Sequence, residues 1–183
     1  MTGPGLLALV ACGAPLAARA ADLARHLVDT GWRVRVVATR DAMAWVDDAA
    51  VERVTGAPAL VGQRRPGQPS RLTDPAHVVV CPATFNTVNK LAAGIADTYA
   101  HSFLSEHLAT GTPLTVVPTV STALWSHPVW AANLDTLTAA GVTLLDVRTG
   151  RVGRPAPADS GTGDQIARAF DPHWLSAALS GKR

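Results

Sequence analysis

Apolar and polar positions along the chain fall into alternating short runs and amphipathic stretches. Leu6 to Ala11 is an unbroken apolar run closed by Cys12-Gly13, the pattern of a strand buried on both faces. Next, Leu16, Ala20, Leu23 and Leu27 recur at helical spacing, with Asp22, Arg25 and Asp29 opposite and Gly31 as the stop. Trp32 to Thr39 predicts a second strand and Asp41 to Ala50 a short helix. The stretch from Gly56 to Pro69 is rich in Gly, Pro and Gln and predicts a loop. The spacing then predicts a strand over Ala76 to Val80, helices over Thr87 to Ala93 and Asp97 to Ala109, and a strand over Pro113 to Val117. A helix over Pro128 to Ala140, stopped by Gly141, a strand over Val142 to Leu145, and a helix over Gln165 to Leu179 follow. Gly150 to Gly163 is rich in Gly, Pro and Ser, the composition of a mobile flap or of a disordered segment. Alternating strands and helices, without repeats or a domain-scale linker, predict one α/β domain over residues 1–183, an open parallel sheet with helices on its faces.

Composition narrows the function more than the fold. The 183 residues are 48% apolar, enough for a sizeable core, and the formal charge is only +2. The basic residues are scattered and the one tight pair, Arg64-Arg65, sits in the Pro/Gly loop, so a nucleic-acid footprint is not expected. No apolar run is long enough to span a membrane. The apolar N-terminal run lacks a preceding Lys or Arg and continues into a patterned helix, which reads as a cytoplasmic start rather than a signal peptide. Cys12 and Cys81 are too few for a disulfide scaffold and read as buried thiols. Neither a Cys-x-x-Cys pair nor paired helical histidines occur, so no metal site is expected.

In a sheet of this kind ligands gather beyond the carboxyl ends of the strands. Three such loops carry informative residues. After the first strand, Gly13 and Ala14 allow close approach of a ligand, and a helix start follows. After the second, Thr39 offers a hydroxyl as a helix cap or a phosphate donor, beside Arg40. After the third, Ala83, Thr84, Asn86 and Thr87 set hydroxyls and an amide at a helix start, where they serve equally as caps or as contacts to a flat heterocycle and a phosphate.

The stretch PATFNTVNKLAAGIAD, Pro82 to Asp97, resembles the P-A-T/S-x-N-T-x-x-K-L-A-x-G-I-A-D signature of the flavin-dependent cysteine decarboxylases, and the likeness extends from Leu6 to about Asp146. The resemblance implies a Rossmann-like, flavodoxin-type layered domain that binds FMN through Gly13, Ala14, Thr39, Ala83, Thr84, Asn86 and Thr87. It also implies a homo-oligomer, a trimer or a dodecamer of trimers, and a substrate that is a small thiol or a peptide ending in cysteine. On that reading Asn86, Ser121, Trp125 and His127 are the candidate catalytic contacts. Three departures bear on the chemistry. The family histidine of the segment before the signature strand falls near Pro69, where this chain reads QPSRLTDPAH, Gln68 to His77. The family stretch P-x-M-N-x-x-M-W is here PTVSTALW, Pro118 to Trp125, with Ser121 in the place of the asparagine that recognises a substrate carboxylate. The flap, Ala156 to Ala167, has no cysteine. Oxidative decarboxylation of a cysteine-containing substrate is the expectation. The alternative is an FMN-binding protein or redox partner without decarboxylase activity. A pocket beside the flavin ring separates them: left open and bearing a compensating Arg, His or Lys, it supports the first, and filled by Pro69, Val120 or Leu124, the second.

Overall fold

The computed structural model describes residues 4–63, 67 and 72–181. The place of the family histidine near Pro69 and the Arg64-Arg65 pair lie outside them. The chain forms β1 (Leu6–Ala11), α1 (Ala20–Asp29), β2 (Arg33–Ala38), α2 (Asp48–Thr55), β3 (His77–Ala83), α3 (Phe85–Ala92), α4 (Tyr99–Ala109), β4 (Leu114–Pro118), α5 (Thr122–Trp125), α6 (Trp130–Ala139), β5 (Thr143–Leu144), α7 (Gly163–Ala169) and α8 (His173–Ser180). The five strands make one parallel sheet in the order β2-β1-β3-β4-β5. Both faces are covered, which is why the strands read as unbroken apolar runs. Leu7, Leu9, Ala11, Val79 and Cys81 point into one core with residues of α1, α2, α7 and α8. Ala8, Val10, Cys12, Val78 and Val80 point into the other with α3, α4 and α6.

Several sequence expectations shift, each for a local reason. The first helical stretch opens as a 3-10 turn, Pro15–Arg19, with Pro15 at its start, before α1 begins. Asp41 to Ala50 is not one helix. A 3-10 turn, Arg40–Ala44, is capped by Thr39, and α2 starts afresh where the Asp47 carboxylate accepts from Ala50 N–H at 2.9 Å. Such a cap satisfies a helix-start donor and restarts the chain direction. Within the loop expected from Gly56 onward, Leu60 pairs with the sheet edge, its N–H donating to Val36 and its carbonyl accepting from Ala38. The third strand runs past the expected end at Val80 to Ala83, with a register irregularity after Val80 and a cis Cys81–Pro82 peptide. The last helical stretch splits into α7 and α8 at Asp171-Pro172, because proline has no N–H to continue the ladder and disfavours helical backbone before it.

The segment expected to be a flap or disordered is pinned in this structure. Leu145 bridges Val152, and Ser121 bridges Ala158, with Ala158 N–H donating to Val120 and Thr122 N–H donating to Ala158. The buried Asp146 holds its near end through hydrogen bonds from Arg148, Thr149 and Ala156. At the far end the Arg19 guanidinium donates to the carbonyls of Ala167 and Phe170. Cys12 and Cys81 are buried free thiols, and burial pushes the Cys12 thiol up to about 11.

Candidate functional site

A cavity of about 820 Å³ opens beyond the carboxyl ends of β1, β2, β3 and β4, within the range of roughly 300–1,000 Å³ usual for small-molecule sites. It lies where β1 and β3 are neighbours and the chain's connections diverge, the switch point at which open α/β sheets bind ligands. Among the described residues no helix is long and apolar enough to cross a membrane, and no group of three His, Cys, Asp or Glu side chains is arranged to hold a metal ion.

Its walls come from four consecutive strand ends. Gly13 and Ala14 follow β1, and Thr39 to Asp41 follow β2. A Cβ on Gly13 would lie 2.8 Å from the Asp41 Cβ, so only glycine lets these two loops close on each other. Thr39 spends one lone pair as a cap, accepting from Ala42 N–H at 3.3 Å. After β3, Thr84 caps α3, accepting from Thr87 N–H at 3.4 Å, and Asn86 is exposed at the first turn of that helix. Both readings of these threonines therefore hold together: they cap, and they line the crevice. After β4, Thr119, Val120, Ser121 and Leu124 close the fourth side. Ser121 stands at the start of α5 without using its side chain as a cap.

Three predicted contacts are not brought to this wall. Ala83 is fully buried at the end of β3, where its carbonyl accepts from Thr119 N–H. Trp125 turns into the core against Trp130, ring centroids 5.1 Å apart. His127 is exposed and sits edge-on to Phe85 at 5.6 Å, its Nδ1 accepting from Val129 N–H. An apolar indole gains more by packing in that aromatic cluster than by lining a wet crevice.

The sequence reading missed the histidine that is at the wall. His101, only 5% exposed on the first turn of α4, places Nδ1 2.8 Å from Thr98 Oγ1 and 3.1 Å from Asp97 Oδ1. Its Nε2 lies 3.3 Å from Thr87 Oγ1, which is also 3.3 Å from Cys12 Sγ and 3.2 Å from Thr84 Oγ1. Asp97 completes the line with an ion pair to Lys90 at 2.7 Å. The Asp97–His101 spacing of four residues on a helix start was the available signal. Burial, then the Lys90 charge, hold the His101 pKa below its ordinary 6.5, with Asp97 pulling the other way. The hydrogen bond from Lys90 is the first cause holding Asp97 below the usual carboxylate range.

His26 and His107 are likewise lowered, chiefly by burial. The unfolded chain therefore takes up protons near pH 6.5 that the folded chain refuses, so stability falls as pH drops through that value toward the lower folded pKa values. A thermal melt is expected to show a lower midpoint at about pH 5.5 than at about pH 7.5; a midpoint that rises on acidification would contradict these burial environments.

A parallel five-stranded sheet with a polar crevice at its switch point defines a cofactor-binding α/β protein. More particularly, the chain belongs to the Flavoprotein family, whose model matches residues 4–166. It is 32% identical over 160 residues to the coenzyme A biosynthesis bifunctional protein CoaBC of Mycobacterium bovis, an alignment covering 82% of this chain and 36% of that protein. The chain thus spans about a third of the length of that relative. It is similar in fold to a PPC decarboxylase mutant complexed with pantothenoylaminoethenethiol, with a TM-score of 0.70 and 20% identity, covering 98% of this chain and 99% of the other. It is also similar to the FMN-dependent cysteine decarboxylase SpaF, with a TM-score of 0.65 and 23% identity, covering 97% and 99%.

The residues present fit a flavin. The crevice is large enough, is bounded by the Gly13 and Asp41 loops that only glycine lets approach so closely, and offers hydroxyls at Thr39, Thr84 and Thr119 with an amide at Asn86. Hydroxyls and amides both donate and accept, as the mixed edges of an isoalloxazine require.

Proposed function

We propose that the chain binds FMN in this crevice and catalyses the oxidative decarboxylation of a cysteine-containing substrate, a small thiol or a peptide C-terminus. The observation that carries the reading is the match to the Flavoprotein family over residues 4–166, together with an open strand-end crevice of about 820 Å³ whose lining includes Arg40, Ser121 and Leu124. Family membership supports the flavin, and relatives whose names specify FMN and cysteine support the substrate class.

Gly13, Ala14, Thr39, Thr84, Asn86 and Thr87 would hold the cofactor. A bound flavin supplies two-electron oxidation at the thiol-bearing carbon, which no side chain can provide. The protein's own part is position, charge and exclusion of water. Ser121, with its hydroxyl free of capping duty, is the candidate contact for a substrate carboxylate on the β4 side, and Arg40 supplies positive charge on the opposite, β2 side of the crevice. By the same family likeness we propose that the functional species is a homo-oligomer, a trimer or a dodecamer.

The test is to incubate FMN-loaded protein with free cysteine, small cysteine conjugates and peptides ending in cysteine. Mass spectrometry should show loss of one carbon dioxide and two hydrogens from at least one of them. Turnover of none, with no bleaching of the flavin, would remove the decarboxylase reading. Asn86→Ala is expected to weaken FMN binding roughly tenfold, the loss of one or two hydrogen bonds. Unchanged retention on gel filtration would put the ligand elsewhere.

A further inference from the structure

We propose that Asp97, His101 and Thr87 form a proton-coupled relay that sets whether the Thr84 hydroxyl offers the crevice a lone pair or a hydrogen, making His101 the positioning residue for an acceptor group of the bound flavin. The proposal rests on the flavin-binding reading of the crevice and is independent of the decarboxylation.

The geometry fixes the relay's resting state. Nδ1 lies 2.8 Å from Thr98 Oγ1 and 3.1 Å from Asp97 Oδ1; the carboxylate oxygen has only lone pairs to offer and the Thr98 hydroxyl can accept as well, which assigns the ring proton to Nδ1 and leaves the Nε2 lone pair toward Thr87. The Thr87 hydroxyl has two acceptors in reach, the His101 Nε2 and the Cys12 Sγ, each at 3.3 Å. An imidazole nitrogen is the far better acceptor, so the Thr87 proton goes to His101. Thr87 Oγ1 then accepts from Thr84 at 3.2 Å, and the Thr84 proton is turned inward. The crevice meets only the Thr84 lone pair.

A proton gained at Nε2 reverses the direction. The imidazolium donates to Thr87 Oγ1, and the Thr87 proton is left with Cys12 Sγ at 3.3 Å and Thr84 Oγ1 at 3.2 Å; the hydroxyl oxygen is the better acceptor, so the proton turns to Thr84 and the Thr84 proton turns out to the crevice. A phosphate oxygen or a ring carbonyl seated there gains a donor and a nearby positive charge. The groups that face His101 are Asp97 from the loop before α4, Lys90 from α3, and Cys12 from the end of β1. Lys90 opposes the imidazolium and Asp97 favours it, while the Cys12 thiol stays neutral near pH 7. The free protein therefore keeps His101 neutral, and a ligand that presents an acceptor at Thr84 draws the proton in. By linkage, the ligand's affinity then falls as pH rises through the interval between the free and bound pKa values.

The experiment measures the dissociation constant of FMN, and separately of riboflavin, by flavin fluorescence between about pH 5.5 and about pH 8. Wild type is compared with His101→Gln and His101→Leu. The glutamine amide donates to Thr87 at every pH, whereas leucine offers nothing. In wild type, log Kd should rise with pH more steeply than in His101→Gln, by a slope difference approaching about one, one linked proton. His101→Gln should keep the affinity of wild type at low pH, and His101→Leu should be roughly tenfold weaker throughout. A linked slope with both flavins locates the acceptor on the ring or ribityl chain; a linked slope with FMN alone locates it on the phosphate. Either supports the relay. Equal slopes in wild type and His101→Gln, or equal losses in both variants, would overturn it and leave the flavin site standing. Failure of wild type to bind either flavin would remove the flavin reading, and the relay with it. Should the variants not fold, NMR of the His101 ring in wild type decides: FMN is expected to raise its pKa, and an unmoved titration would overturn the relay.

Discussion

Gly13→Val is expected to strip the flavin from the protein. Gly13 has an ordinary backbone, so its role is contact and not conformation. A Cβ there would stand 2.8 Å from the Asp41 Cβ and 3.2 Å from the Asp41 carbonyl carbon, and valine adds two methyl groups to that collision. Both are on short loops that start at adjacent strands, paired Ala11 to Ala38, so neither can withdraw without moving a strand end. The relief is to spread the loops carrying Ala14 and Thr39, two of the crevice walls. Overpacking of this sort costs about 1–3 kcal/mol of stability. The larger effect is on binding, because every contact from those two loops is displaced together: the FMN dissociation constant should rise by roughly 100-fold, near 2.7 kcal/mol. A variant that folds, melts close to wild type and binds FMN as tightly would show that these loops do not hold the cofactor.

Asp146→Ala should give the largest loss of stability. Its carboxylate is buried at the end of β5 and accepts four hydrogen bonds: from Arg148 N–H at 3.0 Å, Thr149 N–H at 2.9 Å, Thr149 Oγ1–H at 2.9 Å and Ala156 N–H at 2.8 Å. Alanine leaves three backbone donors without that acceptor, at roughly 3 kcal/mol in sum, which for a chain of this length lowers the melting midpoint by roughly 6–12 °C. The pH dependence is diagnostic. Burial works to raise the Asp146 pKa and the hydrogen bonds outweigh it, so the folded value lies below the ordinary 3.8. A carboxylate depressed in this way contributes stability that is present above its ordinary value and is lost as pH falls through the folded one. The gap between wild type and Asp146→Ala should therefore be full near neutrality and narrow in strong acid. The same substitution frees the chain leading to Ala158, so amide exchange at Ala158 and Thr122 should quicken. A loss under about 1 kcal/mol would mean that water replaces the carboxylate and that the pinned segment does not depend on it.

The sheet was legible because two covered faces demand unbroken apolar strands, and Leu6 to Ala11 and Val78 to Val80 can serve nothing else. The crevice followed from the sheet: Gly13, Ala14, Thr39, Thr84, Asn86, Thr87 and Ser121 sit at strand ends and the structure brings them together. Helix breaks were less legible, because an Asp47 cap inside an apolar pattern looks like one more polar position until the chain turns there. Pairing of Leu60 with the sheet edge left no periodic trace at all, being a single residue in a Gly/Pro-rich stretch. Trp125 is in the motif stretch and His127 lies two residues beyond it, and packing around Phe85 and Trp130 keeps both from the wall. His101 was passed over for the opposite reason. A histidine in a helix reads as solvated until a neighbouring helix covers it, and that contact between α3 and α4 is long-range information.

The claim on which the account stands is that the strand-end crevice seats a flavin mononucleotide. The direct measurement is to mix the purified protein with excess FMN, separate the unbound cofactor by gel filtration, and read flavin absorbance in the protein peak. The account predicts a yellow protein peak holding one flavin per chain, and a colourless peak for Gly13→Val run in parallel. A colourless wild-type peak, or equal flavin on both proteins, would contradict it.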